Sequence, residues 1–167
     1  AGHSSGIHKE ISSIHESTRL IVWLENMMKK LSLAKQDQRF DPPYSTLHVG
    51  QISGGVATNI VAEYTRFEWD VRVIPEDTIQ TIFDDFFAFC REREKEARKL
   101  FPGFKITNTL LHPPVPALDT KETDDILALT QKICGNQTWK TVAYAAEAGQ
   151  FHEAGYQSII CGPGSIE

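Results

Sequence analysis

The chain has 167 residues, with 17 basic and 22 acidic side chains and a net charge of −5. This acidic balance, with a pI near 5.7, excludes a basic nucleic-acid surface, and no run of about 18 apolar residues is present to span a membrane. At 41% apolar and 23% charged, the composition reads as that of a soluble globular chain, long enough for one domain or for one domain and a fragment of another.

The sequence opens on Ala1-Gly2-His3-Ser4-Ser5, with no initiator Met and no basic-then-apolar leader. It reads as a processed or excised piece of a cytoplasmic protein, though removal of a tag would leave the same start. Cys90, Cys134 and Cys161 are odd in number, widely spaced and form no CxxC pair. They read as reduced, mostly buried thiols, not as a disulfide framework or a zinc set.

Apolar side chains recur at three- and four-residue spacing over residues 7–31, through Ile7, Ile11, Ile14, Thr18, Ile21, Val22, Met28 and Leu31. That spacing predicts one amphipathic helix. Trp23, Leu24 and Met27 lie partly off the stripe, so the helix is apolar on more than one side and calls for a second packing surface. Residues 35–43 are polar and end in Pro42-Pro43, a loop. Residues 44–53 and 62–74 predict two strands. In the second, Phe67, Trp69, Val71 and Val73 alternate with Glu68, Asp70 and Arg72, setting an apolar face against a polar one. The connection from Ser53 to Asn59 is glycine-rich and fits a bend between antiparallel strands. A second helix over 76–101 buries Ile79, Ile82, Phe83, Phe86, Phe87, Cys90, Ala97 and Leu100 and turns an ion-paired tail to solvent. Pro102-Gly103 ends it, and residues 104–110 predict another strand.

The order over 7–111 is α+β: helix, strand, strand, helix, strand. One strand added in front makes β-α-β-β-α-β, the ferredoxin-like sandwich. That missing first strand would end where the sequence opens. Past the proline run at 112–116 the pattern changes. A helix over 119–134, a strand over 139–144, a short helix over 147–154 and a strand over 158–161 follow the grammar of a parallel α/β sheet. This stretch of about 50 residues is too short to close its own core. The expected division is an α+β domain at residues 1–115 and an incomplete part of an α/β domain at 116–167.

Four places carry residues suited to chemistry. His3, Ser4 and Ser5 at a helix entrance can donate to an anion or an oxyanion; the simpler role is a serine helix cap. Asn59 can present its amide to a ligand or serve turn chemistry. Arg72, beside Asp70 on one strand face, can clamp a carboxylate or form a cross-strand ion pair. Gly162 and Gly164 leave backbone amides bare for a substrate at the end of a strand, or make a tight turn. No metal set is visible: His8 and His15 lack a third ligand, and His152-Glu153 stands apart. No P-loop, GxSxG elbow or HExxH occurs.

Taken in this order, the segments Gly2–Ser5, Thr46–Val61, Phe67–Arg72, Glu147–Phe151 and Cys161–Glu167 resemble the acetylornithine deacetylase and succinyl-diaminopimelate desuccinylase-like metallopeptidases. The resemblance spans nearly the whole chain. It implies a zinc- or cobalt-dependent amidohydrolase that deacylates an N-acyl amino acid, first among them N-acetyl-L-ornithine on the way to arginine. It also implies a lid domain that forms a homodimer, with residues 1–115 as that lid and 116–167 as a returning part of the catalytic domain. The metal ligands and the general base fall outside this chain, so no residue here is assigned to a metal and the chain alone is expected to be inactive.

The residues carried over handle substrate. His3 matches the lid histidine that stabilises the tetrahedral oxyanion in the partner subunit's site. Asn59 and Arg72 match positions that hold the substrate α-carboxylate. Gly162 and Gly164 match the loop lining the pocket, and Glu147 matches an acid near the site without a fixed role. Three positions depart from the family pattern: Gly6-Ile7-His8 and Ala62 stand where proline is frequent, and Ala146 where threonine is common. The competing expectation is a dimerisation or ligand-binding module of the same fold with no catalysis.

Overall fold

The computed structural model describes residues 2–135, 137–142 and 146–162. A 3-10 turn over Ser4–Lys9 leads into helix α1 (Ser13–Ser32), followed by strands β1 (Thr46–Gly54) and β2 (Thr65–Arg72). Helices α2 (Ile79–Ala97), α3 (Asp125–Cys134) and α4 (Ala148–Glu153) complete the order. The α+β class expected from the sequence is what forms. β1 and β2 make an antiparallel pair in which Thr46 faces Arg72 and Gly54 faces Thr65, with one irregularity between Val49 and Gln51. Gly50 is the extra residue there, as at a β-bulge.

The alternation in β2 decides where the core sits. Phe67, Trp69, Val71 and Val73 turn toward the helices and pack against a buried cluster of Leu20, Leu24 and Met27 from α1, Leu47 from β1, and Ile82, Phe86 and Cys90 from α2. Phe86 is 1% exposed, and the Trp23 and Trp69 rings stand 5.4 and 5.0 Å from its own. One charge lies inside this layer. The Glu16 carboxylate accepts three bonds from Arg93 at 2.9–3.1 Å and one from Arg19 at 2.8 Å, which ties α1 to α2. A buried carboxylate persists only when paired this way.

The predicted elements shift in places. The single helix expected over 7–31 is two elements, because Ser12 is extended and caps α1, accepting from the His15 N–H. Its buried stripe is Leu20, Leu24 and Met27, while Ile7, Ile14 and Val22 are exposed. The second apolar surface was the core-facing one, since the sheet takes the side of the helix that carries Trp23 and Leu24. α2 ends at Ala97, so Leu100 falls outside it and is 48% exposed. Helix α3 starts at Asp125, after a turn in which the Lys121 N–H donates to the Asp124 carboxylate at 2.9 Å.

Residues 104–110 join no ladder. They run beside α2: Arg98 Nε donates to the Phe104 carbonyl at 2.8 Å, the Ile106 N–H donates to Glu94 at 2.7 Å, and Ile106 packs on the core. Topology gives the reason. In a split β-α-β-β-α-β sheet with right-handed crossovers, the first strand lies between the third and the fourth. The described residues contain β1, β2 and 104–110, which are the second, third and fourth in that scheme. A groove of about 1580 Å³, lined by Trp69 and Val71 on one side and Lys105 and Thr107 on the other, separates β2 from 104–110. With no strand there, 104–110 has no neighbour to pair with.

The strands expected at 139–144 and 158–161 do not form among the described residues, and residues 143–144 lie outside them. The 157–161 run lies along α3 instead. Gln157 Oε1 accepts from the Ile126 N–H at 3.1 Å, and Thr120 Oγ1 donates to the Ser158 carbonyl at 2.5 Å. A stretch this short has no sheet to dock on, so its apolar segment covers the nearest helix. The thiols also divide differently from expectation: only Cys90 is buried, while Cys134 and Cys161 are exposed with their sulfurs 3.2 Å apart.

Candidate functional site

His3 sits at the head of the 3-10 turn in extended conformation, as its N-cap. The expected serine cap is therefore replaced by the histidine ring: the Ser5 N–H donates to His3 Nδ1 at 3.3 Å, and Ser5 Oγ lies 2.9 Å from the same nitrogen.

The loop after β1 meets this segment. His3 and Ile60 form an isolated antiparallel bridge. The Ser4 N–H donates to the Asn59 carbonyl at 2.9 Å, and the Val61 N–H donates to the Gly2 carbonyl at 2.8 Å. Gly55 allows the approach, with φ at 72°, a left-handed value that glycine adopts without strain. The base of the loop is pinned to α1: the Ser13 N–H donates to the Ala62 carbonyl at 2.9 Å, and the Ser13 and Thr65 hydroxyls bond at 2.8 Å. His3 and Asn59 are thus adjacent although 56 positions apart in sequence. Both are exposed.

Arg72 is elsewhere. It lies seven residues along β2 from Thr65, about 23 Å at ~3.3 Å per residue. Its Nε donates to the Asp70 carboxylate at 2.7 Å, with both side chains close to half exposed. Arg72 lines the large groove, as does Gly162. A Cβ on Gly162 would meet nothing within 4 Å. Glu147 stands at the N-cap position of α4 without a side-chain cap bond and borders a shallow pocket of about 400 Å³ with Ile126, Phe151 and Gln157. Gly164 lies outside the described residues. The sequence-predicted residues therefore fall into three groups: His3 with Asn59, Arg72 with Gly162, and Glu147 alone. The residue that sequence reasoning missed is Ser5 as partner of the ring; the His-x-Ser spacing, with a free first-turn N–H two positions on, was the available signal.

Among the described residues no three His, Cys, Asp or Glu side chains come together to hold a metal ion. Residues 1–98 match the family model of the peptidase dimerisation domain, M20_dimer. The chain belongs to that family. Over its full length it is 29% identical to the acetylornithine deacetylase of Aliivibrio salmonicida (strain LFI1238) and 30% identical to that of Aliivibrio fischeri (strain MJ11), covering 42% of each relative. It is 29% identical to the acetylornithine deacetylase of Proteus mirabilis (strain HI4320), covering 41% of it. The chain thus spans about two fifths of the length of these relatives. The family domain holds the whole hairpin, α1, the His3–Asn59 junction and all of α2.

Proposed function

We propose that the chain is the lid and part of the returning catalytic segment of a metal-dependent deacylase acting on a small N-acyl amino acid, with N-acetyl-L-ornithine the leading substrate. Residues 1–115 form the lid and 116–167 the returning segment. The observation that carries this reading is the backbone junction that clamps the His3 segment to the Asn59 segment. The names of the full-length relatives support the deacylase class over a module without catalysis. A cytoplasmic location fits that class.

In the proposed mechanism the carbonyl carbon of the substrate amide becomes tetrahedral and its oxygen gains negative charge. His3 donates a hydrogen bond to that oxygen as the charge develops, which stabilises the transition state more than the ground state. Asn59 and the Arg72 guanidinium hold the substrate α-carboxylate, the arginine as a charged fork. A small amino-acid derivative does not reach across about 23 Å of strand. The separation therefore supports a homodimer in which each site takes His3 and Asn59 from one subunit and Arg72 from the other. Gly162 leaves space and a bare amide for substrate. On this reading the ligands of the zinc or cobalt ion belong to the remainder of the longer protein. The 167-residue chain alone is then inactive.

The test is His3→Ala in the longer protein. The expected result is a loss of about 10²–10³ in kcat with metal content unchanged. Unchanged kcat refutes the oxyanion role.

A further inference from the structure

We propose that Ser5 is a positioning residue for His3, holding the neutral imidazole with its proton on Nε2 so that Nε2–H points outward as a donor; this rests on the oxyanion reading of His3 above. The argument is one of donors and acceptors. A backbone N–H only donates, and that of Ser5 is directed at His3 Nδ1 from 3.3 Å. That contact favours a lone pair on Nδ1 in a neutral ring, but at 3.3 Å it is too long to fix the tautomer by itself. Ser5 Oγ, 2.9 Å from the same nitrogen, has an acceptor in front of it and so donates its hydroxyl proton. The one ring proton resides on Nε2.

The backbone around the ring is over-determined. The Gly6 N–H donates to the His3 carbonyl at 2.8 Å, the Ser4 N–H is bound to Asn59, and the Gly2 carbonyl accepts from Val61. With φ and ψ fixed on both sides, only the two side-chain torsions of His3 remain, and the two bonds at Nδ1 fix the ring plane. Such an arrangement serves a reaction better than a cap: a serine or aspartate would satisfy the Ser5 N–H as well, but would offer no ring N–H on the far side. The choice of residue at this cap is explained by the outward donor.

The experiment is histidine-selective ¹⁵N NMR of the 167-residue chain at about pH 8.5, where an ordinary imidazole is neutral. His3→Gln assigns the His3 signals by their loss, and His48 on β1 reports that each variant is folded. The expected result is a pyridine-type Nδ1 and a protonated Nε2 for His3 as a single tautomer. Ser5→Ala is expected to give a mixture of the two tautomers, and Ser5→Thr, which keeps the hydroxyl, to restore one. In the longer protein Ser5→Ala should lower kcat about 10-fold with KM unchanged, again restored by Ser5→Thr. A proton on Nδ1 in the unsubstituted chain, or a Ser5→Ala chain with the same tautomer ratio and the same kcat, overturns the proposal. The two readings fail separately. A single Nε2–H tautomer with a kinetically silent His3→Ala refutes the oxyanion role alone; a wrong tautomer with a strong His3→Ala loss refutes the role of Ser5 alone.

Discussion

Replacing Phe86 with alanine tests whether one aromatic layer holds the helices to the sheet. The ring is 1% exposed and lies among Trp23 at 5.4 Å, Trp69 at 5.0 Å and Phe87 at 6.2 Å. Truncating a buried phenylalanine costs about 3–5 kcal/mol, because transfer energy and contacts are lost and the cavity collapses only partly. Three rings from three elements converge here, and none can follow the vacated space without leaving its own neighbours. The cost should therefore lie in the upper half of that range. For a chain of this size about 1 kcal/mol moves Tm by ~2–4 °C, so a fall of roughly 10 °C is expected. Near-UV circular dichroism should lose much of its tryptophan signal, since both Trp23 and Trp69 lose a fixed ring neighbour. Phe86→Leu, which keeps most of the volume, should cost about 1.5 kcal/mol or less. The assay is urea unfolding followed by tryptophan fluorescence and circular dichroism in parallel. A Phe86→Ala chain within about 1 kcal/mol of the parent would refute the placement of the core.

Other substitutions probe separate parts of the structure. Ser45 is fully buried; its Oγ accepts from the Ile74 N–H at 3.0 Å and donates to Asp77 at 2.5 Å, so Ser45→Ala leaves two groups unsatisfied and should cost about 1–3 kcal/mol in chemical denaturation. The Arg39 guanidinium holds the Asp37 carboxyl below its usual value of 3.8. A depressed carboxylate stabilises the fold above its unfolded pKa and loses that stability as pH falls through the folded one. Asp37→Asn should therefore weaken the fold at pH 7 and flatten the acid limb of stability below about pH 4, which thermal melts across pH would display. Burial pushes the Cys90 thiol up to about 11, whereas Cys134 and Cys161 are exposed. At about pH 8 iodoacetamide should thus modify the latter two and spare Cys90 until urea is added, as read by peptide mass spectrometry; rapid labelling of Cys90 would contradict its place in the core.

The parts of the fold legible in the sequence were those with a strict period. Phe67, Trp69 and Val71 could face only one way, and Ile82, Phe86 and Cys90 mark one side of a helix that has no competing stripe. The first helix was harder because two apolar faces compete, and the local pattern does not say which one the sheet will cover. Residues 104–110 carry a strand pattern without a strand's neighbour, and pairing is a property of the sheet, not of the segment. The same division runs through the site. His3, Asn59 and Arg72 were recognisable by type and motif, but the bridge that joins His3 to Ile60 and the length of β2 that removes Arg72 are tertiary facts. The contact of Ser5 with the ring was not legible, because a hydroxyl near a helix start reads first as a cap, and here the histidine takes that position.

The proposed division of labour between subunits can be measured directly with hybrid dimers of the longer protein. One subunit carries His3→Ala, and the other carries an alanine in place of a metal-ligating residue of its own catalytic domain. Each homodimer should be inactive. If His3 acts in the partner subunit's site, the mixed dimer contains one intact metal centre served by the intact His3, and one damaged centre facing the substituted lid. The hybrid should then recover about half the specific activity of the unsubstituted dimer. A hybrid that stays at the background of the two parents would mean that His3 serves its own subunit, and would contradict the account.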